Sequence, residues 1–190
     1  MKRKYKLEDD EEEKEEESYI KVFDNCVYFY AEVSKENILV LREKLDEAKK
    51  NANENQFKKK TIYLYINSGG GCAYAGISGL NMIKSYPCKI ITIADGFVAS
   101  AATLLYLAGT KRYISRFSQV LIHQVSTAFY GKYTELKDEV KNSTDLMDSF
   151  KNFYKETTKL TPQLIDEYLS KELCFTSTEC KKYGLAHKIK

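Results

Sequence analysis

The chain has 190 residues, of which 43% are hydrophobic and 30% charged, with a formal net charge of +3. This length suffices for one domain with a real core but not for two full ones, and no apolar run is long enough to span a bilayer. The charged start is unlike a signal peptide, and five widely spaced cysteines with two histidines disfavour a disulfide framework or a structural zinc site. We therefore expect a cytoplasmic protein without metal or cofactor.

The charge is unevenly distributed along the chain. Residues 1–17 carry five basic and nine acidic side chains, which leaves 25 basic and 18 acidic side chains in residues 18–190. A charge run cannot bury apolar surface, so we predict a flexible tail over residues 1–17 and a single domain over residues 18–190. The basic residues of the domain form no dense stripe, which disfavours nucleic-acid binding.

The first half of the chain alternates predicted strands with predicted helices. An aromatic-rich alternating pattern predicts a strand within residues 18–33, and apolar residues at helical spacing predict a helix over residues 37–50. A polar loop at 51–60 precedes a β-branched and aromatic run at 61–66, which predicts a strand that ends at a glycine cluster. A helix over residues 73–85 follows, before Pro87.

The second half begins with the apolar run 90–94, which predicts a buried strand ended by Asp95-Gly96. From Val98 the residues favour a helix with Ser100 at its start. Beyond it we predict two short strands at 112–115 and 119–123, a long helix at 132–159, a helix opened by Pro162, and a short helix and strand within 177–189. This alternation indicates parallel βαβ units, whose strand-ending turns share the sheet edge where α/β folds place their sites.

Ser100 is a candidate nucleophile at that edge. Unpaired N–H groups and the positive dipole end at a helix start favour an oxyanion, which is what an attacked carbonyl becomes. The alternative is that Ser100 is only a helix N-cap, the commoner role of such a serine. A serine nucleophile also needs a base, and His123 is either that base or a packed, hydrogen-bonded residue at a strand end.

Four blocks of sequence resemble the proteolytic subunits of the ATP-dependent Clp protease family, in the same order and spacing. IYLYINSGGG resembles the family's strand and glycine loop, and DGFVASAATLL resembles its nucleophile segment. SQVLIHQ is similar to the histidine segment, and FTSTECKKYGLAHKI to the C-terminal block. The resemblance covers residues 27–189 and implies an α/β, Clp/crotonase-like fold of repeated ββα units with a protruding handle helix.

The resemblance implies a serine endopeptidase that degrades unfolded polypeptides with a Ser-His-acid triad. Ser100 takes the position of the nucleophile, His123 that of the general base and Glu172 that of the acid, with Asp166 and Glu167 as nearby alternatives. The family's remaining site positions fall on Gly71 and Ala101 for the oxyanion hole, and on Gly70, Val125, Ser126 and Thr127 for substrate binding.

The resemblance also implies an assembly. The family's subunits form seven-membered rings stacked in pairs and work with an AAA+ ATPase unfoldase, so we expect a homo-oligomeric heptamer or tetradecamer. Residues 125–160 take the position of the handle that joins two rings, and the helix offers Phe150, Phe153 and Tyr154 for packing. Tyr63 and Tyr65 take positions where the family binds its unfoldase, although core packing would explain them equally well.

Three departures from the family pattern leave other functions open. Glu172 is one methylene longer than the usual Asp, Gly69 replaces a proline, and residues 1–17 match no part of the family. A catalytically weak or inactive ring subunit is therefore an alternative, against which the presence of both Ser100 and His123 argues. The serine–histidine pair and the handle disfavour the third alternative, a crotonase-type acyl-CoA enzyme on the same superfold.

Overall fold

The computed structural model of the protein describes residues 19–54 and 61–190. The tail predicted over residues 1–17 lies outside these ranges, as does most of the predicted loop at 51–60. The elements, in chain order, are β1 (Ile20–Phe23), β2 (Cys26–Phe29), α1 (Lys35–Glu54), β3 (Thr61–Ser68), α2 (Ala73–Lys84), β4 (Lys89–Ala99), α3 (Ala102–Leu107), β5 (Lys111–Ile114), β6 (Gln119–Leu121), α4 (Tyr133–Thr157), α5 (Pro162–Lys171), β7 (Cys174–Thr176), α6 (Ser177–Lys182) and β8 (Lys188–Ile189).

The described strands form one mixed eight-stranded sheet in the order β1-β2-β3-β4-β5-β8, with β6 beside the end of β4 and β7 beside β6. The β1–β2 and β6–β7 pairs are antiparallel, whereas β2, β3, β4 and β5 run parallel because helices connect them. Alternate residues of β3, Ile62, Leu64 and Ile66, are fully buried in the core. The α/β architecture agrees with the prediction.

The prediction that Asp95-Gly96 ends a strand is wrong. β4 continues to Ala99, pairing with β5 through residues 91–94 and with β6 through residues 97–99. Gly96 has φ +108, and the β3–β4 register shifts at this level. Asn67 Oδ1 accepts a hydrogen bond from the Phe97 N–H at 3.0 Å, so the irregularity is a braced bulge rather than a strand end.

The strand predicted within residues 18–33 is instead a hairpin. β1 and β2 pair with Phe23 opposite Cys26, and Asp24 in the turn has φ +52. Aspartate tolerates this left-handed conformation better than most residues. The aromatic alternation runs through both strands without a break, so the pattern gives no sign of the two-residue turn between them.

The long helix α4 has 25 residues and therefore spans about 37 Å. Its N-terminal part is largely exposed, including Leu136 and Val140, whereas Phe150 and Tyr154 near its C-terminal end are buried in the domain core. The expectation that Phe150 and Tyr154 are available for packing between subunits is thus wrong, because the core already covers them. No helix among the described residues is long and apolar enough to cross a membrane.

Candidate active site

Ser100 lies in a tight turn between β4 and α3, with φ +54 in the left-handed region. Helix α3 begins two residues later, with Ala101 as its N-cap and no side-chain capping bond. The N-cap alternative for Ser100 is therefore wrong, and the helix start was predicted too early. A left-handed conformation at a non-glycine residue costs about 1–3 kcal/mol and is concentrated at functional sites.

Three neighbours hold this turn in place. The Ser100 N–H donates to the Leu121 carbonyl at 3.0 Å, and the Ser100 carbonyl accepts from the Thr103 N–H at 3.0 Å and from Thr103 Oγ1 at 2.6 Å. The backbone of Gly70 packs so closely that a β-carbon there would lie 2.6 Å from Ser100 Cβ. Strand β6, helix α3 and the glycine loop together determine where the Ser100 side chain points.

Ser100 and His123 line one cavity of about 190 Å³. The other residues that line it are Gly71, Cys72, Ala73, Ala101, Gln124, Val125, Ser126, Phe150 and Tyr154. The structure thus brings together the predicted nucleophile, base and oxyanion-hole residues and two of the predicted substrate-binding residues. Gly70 instead packs behind Ser100, and Thr127 lines a separate groove along α4.

The cavity contains two candidate oxyanion donors. In residues 61–190 of the structure, the N–H groups of Gly71 and Ala101 make no hydrogen bond. Gly71 has φ +143, and a β-carbon there would lie 2.5 Å from the Val33 carbonyl oxygen, so this position requires glycine. Free amides beside a serine can bind the negative charge that develops on an attacked carbonyl.

His123 and Glu172 lie at the ends of two paired strands. His123 follows β6 by two residues and Glu172 precedes β7 by two, and these strands pair antiparallel with Leu121 opposite Cys174. The side chains are not joined, however. Across the described ranges, neither the His123 ring nor the exposed Glu172 carboxylate has a hydrogen-bond partner.

The two alternative acids are both engaged elsewhere. Asp166 forms an ion pair with Lys151 at 2.7 Å, and Glu167 forms one with Lys171 at 2.8 Å. Glu172 is the free carboxylate of the three. It occupies the C-cap of α5 with φ +51, directly before the segment that leads into β7.

Tyr63 and Tyr65 lie on one face of β3, and both are partly buried, unlike Leu64 between them, which is fully buried. Tyr28 stacks on Tyr65 with ring centroids 4.7 Å apart. The Lys190 ammonium lies 5.8 Å from the Tyr63 ring centroid and 5.2 Å from that of Tyr65. The core alternative for these tyrosines is therefore wrong, because they form a partly exposed aromatic face.

Cys72 and Phe150, as walls of the cavity, and Thr103, as a contact of the turn at Ser100, were not identified from the sequence. Helical spacing places Phe150 and Tyr154 on one face of α4, which could have indicated that they act together, but no pattern indicates which cavity that face meets. Among the described residues, no group of three or more His, Cys, Asp or Glu side chains could hold a metal ion.

The chain is similar to known proteins over most of its length. Residues 22–190 match the family model described as Clp protease. The chain is 31% identical over 133 residues to ATP-dependent Clp protease proteolytic subunit 2 of Borreliella burgdorferi, covering 69% of this chain and 67% of the relative. It is also 31% identical over 134 residues to proteolytic subunit 1 of Leifsonia xyli, covering 70% and 68%.

A solved structure of a ClpP1 point mutant from Listeria monocytogenes has the same fold, with a TM-score of 0.74. The match covers 88% of this chain and 91% of that chain at 24% sequence identity. At this identity the likeness concerns the fold alone.

Proposed function

The chain belongs to the Clp protease family, and from that membership we propose that it is a serine endopeptidase that cleaves unfolded polypeptides inside a self-assembled ring. The observation that carries the proposal is the cavity shared by Ser100 and His123, with the free amides of Gly71 and Ala101 at its wall. Nucleophile, base and oxyanion donors are the parts that acyl transfer requires.

The chemistry follows from these parts. Ser100 Oγ attacks the carbonyl carbon of the scissile peptide bond while His123 accepts the hydroxyl proton. The N–H groups of Gly71 and Ala101 stabilise the oxyanion, and His123 then returns the proton to the leaving amine. A water molecule, activated by the same histidine, hydrolyses the acyl-enzyme and regenerates Ser100.

Glu172 is the proposed third member of the triad. Its role is to hold the His123 ring in one tautomer and to stabilise the imidazolium as it forms. The pairing of β6 with β7 supports this role, since it fixes the two strand ends that carry His123 and Glu172 next to each other. The ion pairs of Asp166 and Glu167 argue against either as the acid.

The segment that follows β6 is the proposed binding site for the peptide substrate. Residues 122–132 belong to no helix or strand, and Val125 and Ser126 line the cavity while Thr127 follows them. A substrate in extended conformation can add to such a segment as a new strand, using main-chain hydrogen bonds that require no particular side chain. Gly70 contributes by keeping the opposite wall close to Ser100.

Assembly and a partner complete the proposal. The exposed apolar side chains of Phe129, Leu136 and Val140 on the handle are suited to contact a second copy of the chain, in a heptamer or a stacked pair of heptamers. The relatives are named ATP-dependent, which supports an AAA+ ATPase unfoldase as the partner, with the face of Tyr63 and Tyr65 as its docking site.

One observation favours the alternative of a weak or inactive ring subunit. Within the described ranges Ser100 Oγ and His123 share no hydrogen bond, although such bonds are often long or misaligned in free enzymes and tighten with substrate. A protein that assembles into a ring but neither turns over peptide nor reacts with a serine-directed probe would identify the inactive form.

A fluorophosphonate probe tests the proposed function directly. We expect one covalent adduct per chain, mapped by mass spectrometry to Ser100, and none in the Ser100→Ala variant. Ser78→Ala, at an exposed position of α2, is the matched control and should react at the native rate. Full labelling of Ser100→Ala, with the adduct on another serine, would refute the assignment.

A further inference from the structure

We propose that Thr103 and Tyr154 are positioning residues that hold the nucleophile turn through an ordered relay of two hydroxyl groups. Thr103 Oγ1 lies 2.6 Å from the Ser100 carbonyl oxygen and 2.9 Å from the Tyr154 hydroxyl oxygen. The relay links helix α4 to Ser100, the proposed nucleophile. This inference rests on that function for its kinetic test but not for its structural test.

The direction of both hydrogen bonds follows from the number of protons. A threonine hydroxyl has one proton, and a carbonyl oxygen can only accept. Thr103 therefore donates to the Ser100 carbonyl and must accept from Tyr154. Burial raises the pKa of Tyr154 to about 12, so its phenol keeps the donated proton throughout the neutral range. Each bond in such a chain polarises the next and strengthens it.

Solvent has little access to this relay. Thr103 is fully buried, and Tyr154, although it lines the cavity, is only 3% exposed, so a hydroxyl that loses its partner is left largely without a hydrogen bond. The carbonyl that the relay holds belongs to Ser100, whose φ of +54 is unfavourable for most residues other than glycine, asparagine and aspartate. A buried contact that fixes this carbonyl therefore opposes relaxation of the turn toward an ordinary conformation.

Three variants separate the hydroxyl groups from the packing around them. Thr103→Val keeps the branched shape but removes the donor, Thr103→Ser keeps the donor, and Tyr154→Phe keeps the ring. We expect Thr103→Val to lower kcat on a peptide substrate roughly 10- to 100-fold, with KM within about twofold. Tyr154→Phe should lower kcat about 3- to 10-fold, and Thr103→Ser should retain it.

Thr92→Val is the matched control. Thr92 is also fully buried, and its Oγ1 donates at 2.6 Å to the Tyr106 carbonyl at the other end of α3. Its loss removes the same kind of bond from the same helix without touching Ser100. Thr92→Val should therefore lower the unfolding temperature, though by less than Thr103→Val because it leaves no buried hydroxyl unpaired, while keeping native kcat.

The double variant Thr103→Val with Tyr154→Phe distinguishes positioning from burial of an unpaired hydroxyl. It leaves no unpaired hydroxyl, so we expect it to regain thermal stability but not kcat. Recovery of native kcat would overturn the proposal, as would equal losses in Thr103→Val and Thr103→Ser.

Amide hydrogen exchange of the peptide that spans residues 99–104 provides a readout independent of activity. We expect faster exchange in Thr103→Val than in Thr92→Val, even if the native protein proves inactive. Unchanged exchange in this peptide would overturn the relay by itself. A native protein that fails to react with the fluorophosphonate, yet shows the exchange difference, would refute the proposed function and leave the relay standing.

Discussion

Gly70 leaves no room for a side chain beside Ser100. A β-carbon at Gly70 would lie 2.6 Å from Ser100 Cβ and 2.8 Å from the Ala99 carbonyl oxygen, and Gly70 has φ +102. The glycine loop after β3 and the nucleophile turn after β4 are therefore packed as one unit. A change in either loop must displace the other.

Gly70→Ala should for this reason abolish peptidase activity and destabilise the fold by about 1–3 kcal/mol, measured by denaturant unfolding. Gly69→Ala is the matched control one residue earlier. A β-carbon at Gly69 would meet no atom within 4 Å, and its φ is not in the left-handed region. That variant should keep its activity, and its unfolding free energy should rise by about 0.4–1 kcal/mol, because alanine lowers the conformational entropy of the unfolded chain. Equal behaviour of the two variants would contradict the packing argument.

The sequence predicted the α/β architecture and most elements because their signals are local. Periodicity placed α1, α2, α4 and the central strand β3, with errors of a few residues at their ends. It failed where a single residue changes the path without interrupting the apolar pattern. Asp24 turns a strand into a hairpin, and Gly96 produces a bulge where a break was predicted.

The candidate site divides in the same way. Ser100 and His123 could be predicted because the resemblance assigns them roles, and the structure places both at one cavity. The contacts of Thr103 with Ser100 and Tyr154 could not, since they depend on how α4 packs against α3. Sequence spacing carries no information about a contact between residues 51 positions apart.

The handle should carry the contact between rings. Leu136 and Val140, one turn apart on α4, are 41% and 67% exposed. Because charges at both positions would have to be buried in an interface, we expect Leu136→Glu with Val140→Glu to reduce a double ring to single rings or smaller species. Sedimentation velocity measures this change.

Asn142→Glu is the control for the handle, since Asn142 is exposed on the opposite side of the helix from Val140. It should sediment as the native protein does. Neither set of changes should alter the unfolding free energy of the subunit itself by more than about 0.5 kcal/mol. A native protein that remains monomeric at micromolar concentration would contradict the ring.

His187 should make the fold sensitive to acid. His187 is exposed as a whole, but partial desolvation of its ring, together with the nearby Arg112, lowers its pKa below the ordinary 6.5. Its Nδ1 accepts a hydrogen bond from the Arg112 backbone N–H at 3.0 Å. The unfolded chain therefore binds this proton more readily than the folded one. The stabilisation is present above pH 6.5 and is lost as the pH falls below that value.

We accordingly expect the unfolding temperature to fall less between pH 7 and pH 5 in His187→Gln than in the native protein, by differential scanning calorimetry. Lys188→Gln, a substitution at the adjacent exposed residue, is the control, and its unfolding temperature should depend on pH as that of the native protein does. If the unfolding temperature falls equally in His187→Gln and in the native protein, this histidine does not contribute to the pH dependence of stability.

Glu172 is the member of the proposed triad whose role the kinetics must decide. Its carboxylate is exposed and unpaired in the described structure, so Glu172→Gln should leave folding and assembly intact. If Glu172 orients His123, the amide should lower kcat by about two to four orders of magnitude, since a Ser-His-Asp triad loses about 10⁴ when its aspartate becomes asparagine. The measurement is peptide turnover at saturating substrate.

Two further variants make this test specific. Asp166→Asn breaks only the surface ion pair with Lys151 and should change kcat by less than about twofold.

Glu172→Asp shortens the side chain by one methylene. If the backbone at the end of α5 has adapted to glutamate, aspartate will fall short of His123 and kcat will drop, whereas a backbone with the geometry usual for aspartate will match or exceed the native rate. If Glu172→Gln keeps native kcat and Asp166→Asn loses most of it, Asp166 is the acid of the triad. If both variants keep native kcat, the enzyme uses a serine–histidine dyad.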